Sequence, residues 1–411
     1  MVLSQPRIQL SEPMSRLGTE TAFEAAARAR ALEADGRSIV HLEIGEPDAD
    51  TPANVREAAK RALDRGETHY APFPGIPALR EAIADDATAR KRFAVTPERV
   101  FVTIGGKGVM EYAILGLVDE GSEVIVPDPG YPIYESLTRF VGATPVAIPI
   151  RMANDFRLDV DELAGLVTPR TRLLILNSPA NPTGGLLTRA DLDRIAEIAV
   201  RHDLWVMTDE IYGRITYDGA EHVSIAALPG MAERTIVLDG FSKTFAMTGW
   251  RLGYAIVPEA LAPVYGQLVI NTISCAPTFV QEGAVEALRG PQDAVAAMIE
   301  EFRARRDLVV DGLNAIPGIR CHRPSGAFYV FPDVSGTGLD GAAMADRLLH
   351  EAGVCVLAGT AFGDVGRDHI RISYATSREN LAEALGRIGR FVDGLGRTAP
   401  SATTASAGGS F

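Results

Sequence analysis

Cysteine is scarce in this chain: Cys275, Cys321 and Cys355 are the only three in 411 residues, odd in number and widely spaced. That excludes a disulfide-stapled scaffold, and no Cys/His spacing suits zinc. No stretch approaches the roughly 18 apolar residues of a membrane span. The N-terminus lacks the charged, apolar and cleavage-site succession of a secretory leader. An excess of basic residues is missing too. The 40 Lys+Arg against 53 Asp+Glu give a formal net charge of −13, which argues against nucleic-acid or membrane-surface partners, because both want basic patches. What remains is a globular protein expected in the cytoplasm, long enough for one large core and a smaller second one. An acidic protein that takes small anionic ligands must concentrate positive charge locally, so individual Lys and Arg residues stand out.

From about Arg99 the chain alternates apolar runs with helical segments, the pattern of an α/β sheet covered on both faces. The runs are Val100–Ile104, Glu123–Pro127, Thr144–Ile150, Leu173–Asn177, Trp205–Asp209, Ile236–Asp239 and Leu252–Val257. Helices are predicted between them at Lys107–Leu117, Tyr134–Val141 and Arg189–His202. Before this region, Thr21–Ala34 reads as a helix and Ser38–Ile44 as a strand. A second helix should follow Thr51-Pro52, a cap with proline at the first helical position. Past Gly290-Pro291 a charged helix from Ala294 to about Leu313 leads into an α+β segment. That segment holds Gly326–Phe331, Val354–Leu357 and His369–Tyr374. The first dozen residues look like an arm, and the Ser/Ala/Thr/Gly-rich end past Pro400 is expected to be disordered.

The strand ends carry the chemistry. Lys243 follows the strand around Thr235–Leu238, on the turn before a second strand at Arg251–Val257. Partial desolvation there would lower its pKa and make it a nucleophile for carbonyl groups. Arg251, eight residues on, offers a planar donor fork suited to phosphate; taken alone, a loop Lys and Arg are more often solvated charges, and the other motifs of the chain reverse that. Gly105-Gly106-Lys107 lies at a strand-to-helix junction where backbone N–H groups can meet an anion, although it is not a Walker loop; a plain tight turn would look the same. Asn181, in the stiff run Asn177–Gly184, can reach a phenolate or a carboxylate. Asp209 and Tyr212 follow a strand, where an acid would be desolvated unless paired; a protonated pyridine nitrogen would answer that need, and a strand-end turn with a surface acid would look the same. Arg371 alternates with apolar neighbours on a strand, so it needs an anion; a substrate carboxylate would serve, but taken alone the residue reads first as part of an internal salt bridge. Tyr131 and Tyr70 sit on proline-stiffened loops and could stack on a planar group or pack on their own prolines.

Taken together, these stretches resemble the class I/II aminotransferases, pyridoxal 5'-phosphate (PLP) enzymes of fold type I, in the bacterial aspartate-aminotransferase-like branch. The likeness runs from about residue 16 to 396. It rests on Gly45–Asp48 with Thr51-Pro52, Tyr70 with Gly75–Arg80, Gly105–Lys107, Tyr131-Pro132, Asn177–Gly184, Asp209–Tyr212, Ser242–Tyr254, Gly326–Tyr329 and Arg371. The resemblance implies a large domain over 51–299 with a mostly parallel seven-stranded sheet between helices. It also implies a smaller α+β domain from both chain ends, 16–50 and 300–396, flanked by an arm (1–15) and a disordered tail (397–411).

By the same resemblance, Lys243 carries PLP covalently and shuttles the proton. Asp209 pairs with the pyridine nitrogen, Asn181 and Tyr212 bond the phenolic oxygen, and Tyr131 stacks on the ring. Gly105, Gly106, Lys107 and Arg251 hold the phosphate, with Tyr70 reaching it from a neighbouring subunit of a homodimer that shares its active sites. Arg371, Asn181 and Gly45 take the substrate α-carboxylate. The implied reaction is ping-pong transfer of an amino group between an L-amino acid and a 2-oxo acid, and aspartate is suggested by Lys107, which in this branch can face a distal carboxylate. Glu20 stands where relatives carry a small hydroxyl residue, and Ile44 is bulkier than the usual neighbour of Gly45; a carboxylate at Glu20 would repel an acidic side chain or neutralise Lys107. The scaffold also hosts β- or γ-elimination, replacement, cyclisation and oxidation. A non-catalytic relative should lack Lys243 or Asp209, and both are present.

Overall fold

The computed structural model describes residues 8–395. Residues 1–7 of the expected arm and the whole expected tail, 397–411, lie outside the described residues. Seven strands form the central sheet: β1 (Val100–Thr103), β2 (Glu123–Asp128), β3 (Thr144–Pro149), β4 (Thr171–Asn177), β5 (Trp205–Asp209), β6 (Thr235–Gly240) and β7 (Gly253–Ile256). Their order is β1-β7-β6-β5-β4-β2-β3. All neighbouring pairs are parallel except those made by β7, which runs antiparallel to both β6 and β1. Runs such as Val124-Ile-Val126 and Leu173–Leu176 are buried on both faces, as expected of parallel strands covered by helices on either side.

The helices begin where the sequence supplies caps. Thr188 and Asp191 form a reciprocal capping box for Arg189–Arg201, and Pro132 opens Pro132–Phe140, where its missing N–H costs nothing. Two expected strands differ in extent. Only Val40–His41 of Ser38–Ile44 is a strand, paired in parallel with Val354–Cys355. The following carbonyls go elsewhere: Leu42 O accepts from the Ser373 amide and Glu43 O from Arg371. Ile150 leaves β3 to bridge Leu158.

Elements from both chain ends share a second core. Val40 and Leu42 pack with Phe302, Val309, Leu313, Phe328, Ile372, Leu381 and Ile388, around an antiparallel sheet of Leu357–Ala358, Ile370–Ser373 and Tyr329–Val330. The helix Asp293–Asn314 links the two regions. Val295, near its start, joins the core beside the large sheet, whereas Phe302 onward belongs to the second core.

Candidate active site

Every parallel strand of the large sheet points its carboxyl end to one edge, where open α/β sheets bind ligands. Because β7 runs backwards, its amino end reaches that same edge, and the β6–β7 connection with Lys243 and Arg251 lies along it. Crowding there demands glycine. Gly240 and Gly253 face each other in the ladder, and a Cβ on Gly253 would stand 2.7 Å from the Gly105 carbonyl carbon and 2.9 Å from the Gly106 nitrogen.

Lys243 Nζ donates to the Gly45 carbonyl at 2.5 Å and lies 5.9 Å from the centroid of the Phe328 ring. Burial lowers its pKa to about 8, with Arg371 and Arg251 helping and Glu46 and Glu20 opposing. No carboxylate pairs with it among the described residues, so its ammonium is weakly held and readily gives up a proton.

Asp209 is 3% exposed. One carboxylate oxygen accepts from the Tyr134 hydroxyl at 2.6 Å and the other from the Ile211 amide at 3.1 Å. Both donors are neutral, and among the described residues no cation pairs with this acid. Burial raises its pKa to about 6; the two hydrogen bonds pull it down, and Asp239 and Glu210 push it up.

Arg371 is buried as well. It donates to Asn181 Oδ1 at 3.1 Å and to the Glu43 carbonyl, and its Nε has no partner. Its guanidinium sits 4.7 Å and 4.9 Å from the centroids of the Tyr329 and Phe362 rings. Among the described residues no carboxylate pairs with it, which decides against the internal salt bridge. Asn181 is held for this contact by its own amide, which donates to Asn177 Oδ1 at 2.8 Å.

Gly105, at φ +70°, precedes the helix Gly106–Leu117. A Cβ there would lie 2.6 Å from Arg251 Nη2, so the glycine lets the guanidinium close over free amide donors. Arg251 itself is anchored through Nη1 to the Thr248 carbonyl at 2.9 Å. An anion-sized cradle of amides plus guanidinium results.

Known proteins match this arrangement. The family model "Aminotransferase class I and II" matches residues 37–388. The chain belongs to the class I and II aminotransferases. An aromatic-amino-acid aminotransferase of Thermococcus litoralis is 43% identical over 353 residues, covering 85% of this chain and 90% of that protein. An arginine–pyruvate transaminase of Pseudomonas aeruginosa is 44% identical over 367 residues, covering 89% and 93%. The crystal structure of the Rhizobium meliloti aspartate aminotransferase superposes with a TM-score of 0.90 at 37% identity, covering 94% of this chain and 99% of that one. The aminotransferase fold expected from the sequence, a seven-stranded mostly parallel sheet with a smaller α+β part, is therefore present.

The remaining expected residues of this aminotransferase divide by place. Tyr131 packs edge-on against Tyr134, ring centroids 5.7 Å apart, and its hydroxyl donates to Glu20 at 3.0 Å. Lys107 bonds the same Glu20 oxygen at 2.9 Å, so these three side chains meet at one carboxylate. Tyr212 is buried, its hydroxyl 2.9 Å from that of Tyr329. A Cβ on Gly45 would run into the same Tyr329 hydroxyl. Ile44 packs with the core beside β4. Tyr70 is not in the group: it is 92% exposed. Sequence reasoning missed Tyr134, which it read only as a helix start, and gave Tyr329 no role. A tyrosine two residues inside a proline-started helix after a strand carries no signal of a partner 75 residues away.

Proposed function

We propose that this transaminase uses PLP to move an amino group between an L-amino acid and a 2-oxo acid, aspartate-type substrates foremost. The carrying observation is a pair of unmatched buried charges, the anion Asp209 and the cation Arg371, together with a buried lysine whose pKa is about 8. Burying an uncompensated charge is costly, so such a pair marks groups that wait for ligands. PLP fits what is there: its pyridinium would answer Asp209, its phosphate the Gly105-Gly106 amides and Arg251, and its phenolic oxygen Asn181 and Tyr212. Lys107 and Tyr131 would flank it. When bound, PLP supplies an electron sink for a substrate carbanion.

The chain's own residues do the rest. Arg371, with Asn181 and the Gly45 backbone, orients the substrate carboxylate as a fork. Lys243 would hold the cofactor, and its amine would move the proton from the substrate α-carbon. Asp209, held ionised by two neutral donors, keeps a positive charge opposite it. The aspartate name of the Rhizobium meliloti structure supports an acidic substrate; Lys107 is paired with Glu20 and would meet such a side chain only where that pair opens. The exposed Tyr70 supports a homodimer in which it reaches the neighbouring site. Three free cysteines fit the cytoplasm proposed as its compartment. Among the described residues no helix is long and apolar enough to cross a membrane.

A spectral screen tests this reading. Purified protein should show the absorbance of a lysine-linked pyridoxal group that bleaches with aspartate and returns with a 2-oxo acid. Lys243→Ala should lack both the band and turnover. Ammonia or pyruvate release without a 2-oxo acid would instead indicate elimination.

A further inference from the structure

Directly behind Asp209 lies a second set of charges that the reaction described above does not use. Lys91, the last residue of the helix Pro77–Lys91, is fully buried, and its ammonium is 2.6 Å from Glu210 and 2.8 Å from Asp239. Glu210 follows Asp209 in the chain, and Asp239 lies on β6, four residues before Lys243. Arg90 reaches Asp239 at 3.5 Å and Asp86 at 3.0 Å, and Arg214 also pairs with Asp86. Three carboxylates thus meet three basic side chains. Of the other groups facing the cluster, His222 lies 3.8 Å from Glu210 and is held neutral chiefly by burial. Tyr254 beside Asp239 is kept protonated by burial.

The cluster is balanced without Asp209. We infer that Lys91 is a positioning residue for this aminotransferase: by neutralising Glu210 and Asp239, it stops them from competing with Asp209 for a cation and keeps that acid ionised beneath the reacting centre. The inference rests on the assignment of Asp209 as partner of a positive ring nitrogen. Among the described residues the Asp209 carboxylate takes its side-chain hydrogen bonds from the Tyr134 hydroxyl and the Ile211 amide, neither of which adds charge. Consistent with this, burial would raise Glu210 and Asp239, yet both sit below the usual carboxylate range, because Lys91 joined by Ser224 at Glu210 and by Arg90 at Asp239 together outweigh it.

The test is a sign pattern. Asp209 would be followed by carbon-13 NMR of its carboxyl in the full-length apoprotein, identified by its loss in Asp209→Asn. Lys91→Met leaves one net negative charge behind Asp209 and should move its titration up by about one pH unit. Glu210→Gln, with Lys91 kept, should move it down, and the double variant should return it near the wild-type value. In the loaded enzyme, Lys91→Met should lower kcat about tenfold with KM changed less than about threefold, and Glu210→Gln in the same protein should restore it. A merely structural role for Lys91 would give shifts of one sign, or none, and a double variant no better than the single; either would overturn the inference. If Lys91→Met does not fold, the downward shift in Glu210→Gln still decides, and its absence refutes the idea. Because the titration is read without cofactor, its failure is distinct from failure of the PLP reading, which the spectral screen reports separately.

Discussion

Two groups of buried charge stand back to back at the carboxyl edge of the large sheet, and they are built on opposite rules. The rear group closes on itself: Lys91, Arg90 and Arg214 answer Glu210, Asp239 and Asp86. The front group does not. Among the described residues Asp209 has only neutral donors, Arg371 only neutral acceptors and a bare Nε, and Lys243 a single carbonyl. Satisfied charge holds a shape; unsatisfied charge awaits a ligand, and the molecule tolerates its cost only where a ligand will arrive.

The sharpest way to break that contrast is at Arg371. Arg371→Met should cut kcat/KM by about 100-fold or more for every amino acid, since the carboxylate fork is lost, while leaving the apoprotein no less stable. Steady-state kinetics and thermal melts would check both, and a large stability loss would mean that the guanidinium belongs with the structural charges after all.

Asp209 comes next. Its folded pKa of about 6 lies above the ordinary 3.8, so its ionisation costs the apoprotein stability as pH rises from about 4 through about 6. That cost is complete at pH 7. Asp209→Asn should therefore stabilise the apoprotein at pH 7 by on the order of 2–3 kcal/mol, with the gain vanishing below about pH 4, while activity falls about 1000-fold. Denaturant unfolding at the two pH values reads the difference; an equal gain at both would exclude charge as its cause.

A milder effect is expected at Gly105. Alanine there meets both the positive φ and Arg251, and should weaken PLP binding roughly tenfold at a stability cost of about 1 kcal/mol. Equilibrium dialysis would check it. The smallest change is at Glu20. Glu20→Gln frees Lys107 from its ion pair and should raise the preference for aspartate over alanine about threefold, measured as a ratio of kcat/KM; an unchanged ratio would show that the pair lies off the side-chain path.

The front group was largely legible in the sequence, and the rear one was not. Lys243, Asp209 and Asn181 each lie at or just past the end of an apolar run of the large sheet, so local pattern brings them to one edge, whereas Arg371 comes from a strand of the small antiparallel sheet. Lys91 sits in Arg90-Lys91-Arg92, which reads as a solvated helix end; only a fold that sets it against Glu210, 119 residues on, shows otherwise. Tyr134 and Tyr329 were opaque for the same reason. A pairing made across the sheet leaves no trace in spacing. The arginine was half legible: alternation placed Arg371 on a buried face, but salt bridge or open fork depended on what came to meet it.

The reversed seventh strand has a further consequence. Lys243 and Arg251 ride on one connector whose two ends are pinned, Gly240 opposite Gly253, in a single ladder. The reach between nucleophile and anion cradle is thereby set like the span of a caliper with both jaws clamped. Even one inserted residue between them would have to bulge rather than lengthen the gap, so this loop should tolerate changes of side chain far better than changes of length.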